Sequence, residues 1–178
     1  MSKQNNFVFI ALHVIAWVIF VGLSIEAGGL IVNFIFTVFK PEFVDRLYQK
    51  LDLTTLYLQS TAVFYSMCSF VIVIAVLKAV LFYLLIELLL KLDLLKPFSQ
   101  FVRRKILQIS YYTFSIGILS YIAGETARNL SHHGYEVDKL EQFWVDSNAF
   151  ILMAAVIYVI AQIFKRGIEI QSENELTV

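Results

Sequence analysis

The side chains in this sequence that could do chemistry are few, and Lys78 is foremost. It falls inside Thr61–Leu90, thirty residues with Lys78 and Glu87 as the only charges and no Gly or Pro. As a helix this stretch is about 45 Å long, against a hydrocarbon core of about 30 Å. It is hydrophobic all round, so it belongs in lipid, where an ammonium group marks a functional site by default. One reading is an ion pair or hydrogen bond to a neighbouring helix. Glu26 and Glu125, each near the outer end of its helix, are partners that a flexible lysine stem reaches. The other reading is a proton relay or anion site within the bundle, which would make the chain a small transporter or proton-coupled membrane protein using Lys78 with Glu26 or Glu125. Either way, Lys78, Glu26 and Glu125 form the candidate intramembrane polar site.

Glu87 is nine residues from Lys78, on nearly the opposite helix face, and one turn before Lys91, which suits an i,i+4 ion pair. His13 and Gln162, in the first and fourth apolar stretches, are expected to make hydrogen bonds between helices. His132 and His133, with Glu136, Asp138 and Glu141 close by, raise the question of a metal. Adjacent histidines diverge and no HxxxH or HExxH spacing occurs, so a solvated outer loop is expected and no metal site. Cys68 is the only cysteine, which excludes an internal disulfide and any CxxC site. No GxSxG, P-loop or GxGxxG is present, and no obvious acid/base carboxylate pair. Neither an enzyme nor a cofactor is expected.

The elements that position these residues are hydrophobic spans. Of 178 residues, 59% are hydrophobic and 16% charged, where a soluble domain carries about 25% charge. Formal net charge is zero, which removes a general electrostatic case for binding nucleic acid. The expected fold is an all-α bundle of four transmembrane helices in one domain, at about 7–39, 57–90, 106–127 and 147–164, with a tail at 165–178. The first stretch is too long for the apolar region of a signal peptide and reads as a retained helix that tilts or projects. Its Gly22, Gly28 and Gly29 would admit a close neighbour, within the chain or in a homo-oligomer. After Lys40-Pro41, the residues Phe43, Leu47 and Leu51 recur among charges and predict a short amphipathic helix on the membrane surface in the first outer loop. Asp52 or Thr54 is placed to cap the second span, and Ser99, after Pro97, to cap the third. In the polar segment Arg128–Asp146, the residues Leu140, Phe143 and Trp144 form an apolar edge suited to lipid headgroups.

Charge sets the expected orientation. With the N-terminus inside, the inner segments hold Lys3, Lys91, Lys96, Arg103, Arg104, Lys105, Lys165 and Arg166. The outer ones hold Lys40, Arg46, Lys50, Arg128 and Lys139, so eight face five. The positive-inside rule then puts both termini in the cytoplasm. The basic run Arg103, Arg104 and Lys105 is also placed to meet anionic lipid headgroups, each charge contributing about 1 kcal/mol near the surface.

Two segments carry a resemblance: KPFSQFVRRKILQISYYTFSIGI and the ending YVIAQIFKRGIEIQSENELTV. They resemble the bacterial membrane-protein family known as domain of unknown function 2975. Its members have four spans, a Pro-Phe segment before the third, and a Gly-x-Glu-Leu-Gln-x-Glu-Asn-Asp-Leu-Thr-Val-like end. Gly167, Glu169, Gln171, Glu173, Asn174, Leu176, Thr177 and Val178 match that end, and Ile170 and Glu175 depart from it. The segment around Lys78 fits the family's second span. The resemblance implies no enzymatic activity. It also implies a bacterial inner-membrane component of a regulatory pair, because the family's genes often adjoin helix-turn-helix regulators. A cytosolic transcription regulator is thus the expected partner besides membrane lipid. Its contact surface would be Arg103, Arg104 and Lys105 with the tail residues from Gly167 to Leu176, where charged and apolar positions alternate.

Overall fold

Long apolar runs free of proline give long helices, and four such helices dominate the computed structural model, which describes residues 3–40, 44, 52–93 and 97–175. In chain order the elements are α1 (Lys3–Phe39), α2 (Thr54–Gln59), α3 (Thr61–Lys91), α4 (Gln100–His132), a 3-10 helix (Asp138–Phe143) and α5 (Ser147–Glu175). α1, α3, α4 and α5 are each long and apolar enough to cross a membrane, and no strand occurs among the described residues. The fold is therefore an all-α bundle of four membrane-length helices. The amphipathic helix expected in the first loop lies outside the described residues, apart from Val44, which is buried.

The second span is not one helix. Ser60 adopts an extended conformation between α2 and α3, and its hydroxyl accepts from the Val63 amide at 3.4 Å. Ser60, and neither Asp52 nor Thr54, therefore caps α3. Asp52 instead accepts from the Thr54 amide at 3.0 Å and the Thr54 hydroxyl at 2.7 Å, holding the entry to α2. Ser99 caps α4 as its position predicts, accepting from the Val102 amide at 3.2 Å.

The helices pack in chain order: α1 on α3, α3 on α4, and α4 on α5. Ring contacts between Phe20 and Tyr83 and between Phe34 and Tyr65 join α1 to α3. Most of the remaining α1 surface is exposed and apolar, as lipid requires. The tightest contact is between α4 and α5. Ser110, Thr113, Gly117, Ser120, Gly124 and Ala127 recur at steps of three and four, which places these small residues on one face of α4. A Cβ on Gly117 would stand 2.7 Å from Ile151 Cγ1 and 2.9 Å from the Ile151 amide nitrogen. The Ser110 hydroxyl crosses the same interface and donates to the Ala154 carbonyl at 2.9 Å. Small residues and short polar links hold membrane helices together where lipid removes the hydrophobic drive.

Gly117 is near the middle of α4, yet it faces the first residues of α5. Fifteen residues of α4 thus continue past the start of α5, about 22 Å at 1.5 Å per residue. The chain fills the space beside them by returning along α4 through the 3-10 helix. Leu140, Phe143 and Trp144, expected among headgroups, are instead buried against Leu56, Phe64 and Met67. A water-facing segment that must fold back can bury its apolar edge in protein, which stabilises more than leaving it at an interface. Polar bonds fasten this cap. Gln59 donates to the Gly134 carbonyl at 3.1 Å and accepts from the Glu136 amide at 3.1 Å, while Lys139 donates to the Asp52 carbonyl at 2.8 Å. Gly134 has φ 84°, a left-handed turn that a side chain would strain.

The opposite, uncapped end has a small core of Val102, Ile106 and Ala161. There Glu87 pairs with Lys91 at 3.4 Å, as the spacing predicts, and also with Lys105 of α4 at 2.6 Å.

Candidate functional site

The capped end holds a cleft of about 380 Å³ between α4, the 3-10 helix and the start of α5. Its buried wall comes from Ser120, Gly124 and Trp144, with Ser147 and Asn148 of α5 nearer the surface; a Cβ on Gly124 would stand 3.2 Å from the Trp144 ring. Its mouth carries Glu125, Arg128, His132, Asp138 and Glu141. Glu125 and Arg128 pair at 2.7 Å, both largely exposed. Trp144 and Val137 give the cleft an apolar floor, but polar and charged side chains make up most of its lining.

Ser120 stands out in that wall. Thr113, Ser115 and Thr126 of the same helix each donate to the carbonyl four residues back, at 2.8, 2.9 and 2.8 Å. Ser120 is 1% exposed, and its hydroxyl has no partner among the described residues. Burying an unbonded hydroxyl is costly, so such a group calls for a reason.

The structure disperses the three residues of the expected polar site. Lys78 is half-buried, and its ammonium donates to the Phe143 carbonyl at 3.5 Å and lies 5.8 Å from the Phe150 ring centre. Its stem therefore runs toward the cap. Glu125 is taken by Arg128 on its own helix, and Glu26 is on α1, whose main packing partner is α3. Among the described residues neither carboxylate pairs with Lys78. The link expected between helices for His13 is also absent: its Nε2 accepts from Trp17 Nε1 at 3.0 Å, one turn along α1. His133 bonds the Asn129 carbonyl at 2.8 Å, and among the described residues no His/Cys/Asp/Glu group is arranged to hold a metal.

At the uncapped end the two family-like segments touch. A Cβ on Gly167 would lie 2.5 Å from the Phe98 ring, and that ring packs on Phe164 at 5.4 Å between centres. Glycine is thus what lets the Pro-Phe segment lie on α5. Arg103 and Arg104 lean on Gln100, at 3.5 and 3.3 Å. Lys105 is turned inward to Glu87 and is 16% exposed, so its charge serves the α3–α4 junction first. Arg166 and Glu169 pair at 3.0 Å along α5.

The tail residues up to Glu175 continue α5 as helix, where the sequence suggested an alternating surface. A helix already nucleated in the membrane propagates cheaply into water, one hydrogen bond per residue fixed. Gly167, Glu169, Gln171 and Glu173 therefore lie on a rigid rod. Of Asn174 only the helical backbone is described, and Leu176 lies outside the described residues. The cleft, Ser120 and the contact between Phe98 and Gly167 escape sequence reasoning. The signal for the first two was the small-residue face of α4, of which Gly117 and Gly124 are members.

Four membrane-length helices, a small-residue interface and a lipid-type surface on α1 define a multi-pass membrane protein. The chain belongs to the family described as Protein of unknown function (DUF2975), whose model matches residues 48–178. No curated protein and no solved structure matches it.

Proposed function

We propose that this protein is a non-enzymatic sensory or regulatory component of the bacterial inner membrane, with both termini in the cytoplasm. The capped end faces outward and receives a signal. The segment around Arg103 and Arg104, with α5 beyond Arg166, holds a cytosolic regulator of the helix-turn-helix type. One observation carries this reading: α5 runs unbroken from Ser147 and Asn148 in the cleft to Glu175, 29 residues or about 44 Å. A single rod with one end in a ligand-sized cleft and the other among the family-like tail residues can transmit a small displacement across the membrane. Its seat on α4 through Gly117 and Ser110 gives that rod a defined track. Rigid elements with two arrangements are how distant sites become coupled.

The test is capture from native membranes with the intact protein and with a version ending at Arg166. Recovery of a soluble DNA-binding protein by the intact chain alone is the expected result. Equal recovery by both, or no such partner with either, overturns the reading.

A further inference from the structure

We propose that the uncapped end of α4 carries a site for an anionic phospholipid. Arg104 and Lys91 hold its phosphate at the junction with α3, Gln108 meets its glycerol ester carbonyls, and an acyl chain lies along the exposed flank of α4. The site goes beyond the regulatory reading and takes from it only the orientation of the chain in the membrane.

Cations gather at that junction in excess of carboxylates. Glu87 is shared by two lysines, at 3.4 Å from Lys91 and 2.6 Å from Lys105. The same two ammonium groups lie 5.1 and 5.9 Å from the centre of the Phe101 ring, so one carboxylate and one aromatic ring draw two like charges together. Lys105 is turned inward, whereas Lys91, the last residue of α3, is 59% exposed. Arg104 adds a third cation, held to the Gln100 carbonyl at 3.3 Å and, among the described residues, paired with no carboxylate. Counting Asp93, just past Lys91, cations still lead by three to two. At 100° per residue, Phe101, Arg104, Lys105 and Gln108 fall within about 100° of one another on α4, and Arg103 falls on the other side of the helix. The net positive charge of this face suits a headgroup carrying one negative charge.

Gln108 distinguishes a lipid from a dissolved anion. Its side chain is exposed on a membrane-length helix and makes no hydrogen bond among the described residues. Ser115, further along the same face, instead satisfies itself by donating to the Tyr111 carbonyl at 2.9 Å. An amide without partners is costly beside hydrocarbon. Gln108 is four residues past Arg104, about 6 Å deeper, which is where the ester carbonyls of a phospholipid lie beneath its phosphate. Beyond it Tyr111, Ser115 and Ile118 follow at steps of three, four and three, and all are exposed. Gln108 to Ile118 spans about 15 Å, half of a hydrocarbon core of about 30 Å. The stripe thus passes from cation through amide and phenol to aliphatic surface within the thickness of one leaflet.

Full-length protein in nonionic detergent is titrated with dioleoyl phosphatidylglycerol, and bound lipid is counted by native mass spectrometry. Dioleoyl phosphatidylcholine has the same chains and a phosphate but no net charge; glycerophosphoglycerol has the same headgroup without chains. The expected result is saturable binding of a first phosphatidylglycerol, with both controls weaker by about fivefold or more. Arg104→Gln weakens phosphatidylglycerol about fivefold, the effect of one charge near a headgroup. Gln108→Leu is the sharper variant, because it removes an unbonded amide from apolar surroundings. It leaves the melting temperature in detergent unchanged or raised, yet weakens phosphatidylglycerol about fivefold through loss of one hydrogen bond. The proposal is overturned if phosphatidylglycerol does not bind saturably, if either control binds as well, or if either variant binds like the parent. Tail-dependent capture alongside a failed titration removes the lipid site and leaves the regulatory reading standing; a successful titration without capture does the reverse.

Discussion

The two ends of this molecule are built on different physics. At the capped end, Leu56, Phe64, Met67, Leu140 and Trp144 close a core like that of a soluble domain, fastened by Gln59 and Lys139 to the returning chain. At the other end a core of Val102, Ile106 and Ala161 suffices, with Glu87 tied to Lys105 and Phe98 laid over Gly167. The capped end extends beyond the start of α5 and owes its stability to removal of apolar surface from water. The uncapped end has a smaller core, so close packing and a few polar links carry more of its cohesion. A cleft of about 380 Å³ is found in the first kind of structure, and the second is built from helix contacts alone.

Truncating a core side chain on each side tests this difference. Leu56→Ala opens a cavity in the cap, and a loss of about 3 kcal/mol is expected. Val102→Ala removes less volume from a smaller core, so about 1 kcal/mol or less is expected. Reversible unfolding in mixed micelles measures both. Equal losses would dissolve the distinction between the ends.

A smaller effect is expected from acid. The Thr54 hydroxyl and amide bonded to Asp52, with Lys139 adding a weaker pull, hold its carboxyl below its ordinary value of 3.8. A depressed native pKa gives stability that is fully present above 3.8 and is lost as pH falls through the native value. Protection of the α2 amides relative to their intrinsic exchange should therefore fall at pH below 3.8, and the acid-dependent step should vanish in Asp52→Asn. Since Asp52 is solvent-exposed, the step is small and confined to the cap. An acid step of the same size in the variant would assign it to another group.

Much of the architecture is legible in the sequence, because transmembrane helices announce themselves by length and hydropathy alone. The four spans, the Ser99 cap and the pairing of Glu87 with Lys91 all follow from local pattern. What does not follow is anything decided by where segments meet. One serine in an apolar run does not announce a break, yet Ser60, extended and accepting from the Val63 amide, divides α2 from α3. Leu140, Phe143 and Trp144 have the same pattern whether they face headgroups or a core, and the outcome turned on the depth to which the chain returns along α4. Lys78 reads as a charge inside a lipid-spanning stretch, but its partner is a carbonyl of the 3-10 helix, which local pattern could not bring inward. The small-residue face from Ser110 to Ala127 did carry the position of α5, and with it the cleft.

The central claim is that α5 is one rod from the cleft to the tail. Hydrogen exchange of the protein in lipid nanodiscs tests it most directly, read at the amides from Gly167 to Ser172. Slow exchange there, continuous with that of Ile157 to Phe164 and lost when Phe98 is replaced by alanine, is the predicted result. Fast exchange beginning at Lys165 in the unaltered protein would show a frayed tail and contradict the account.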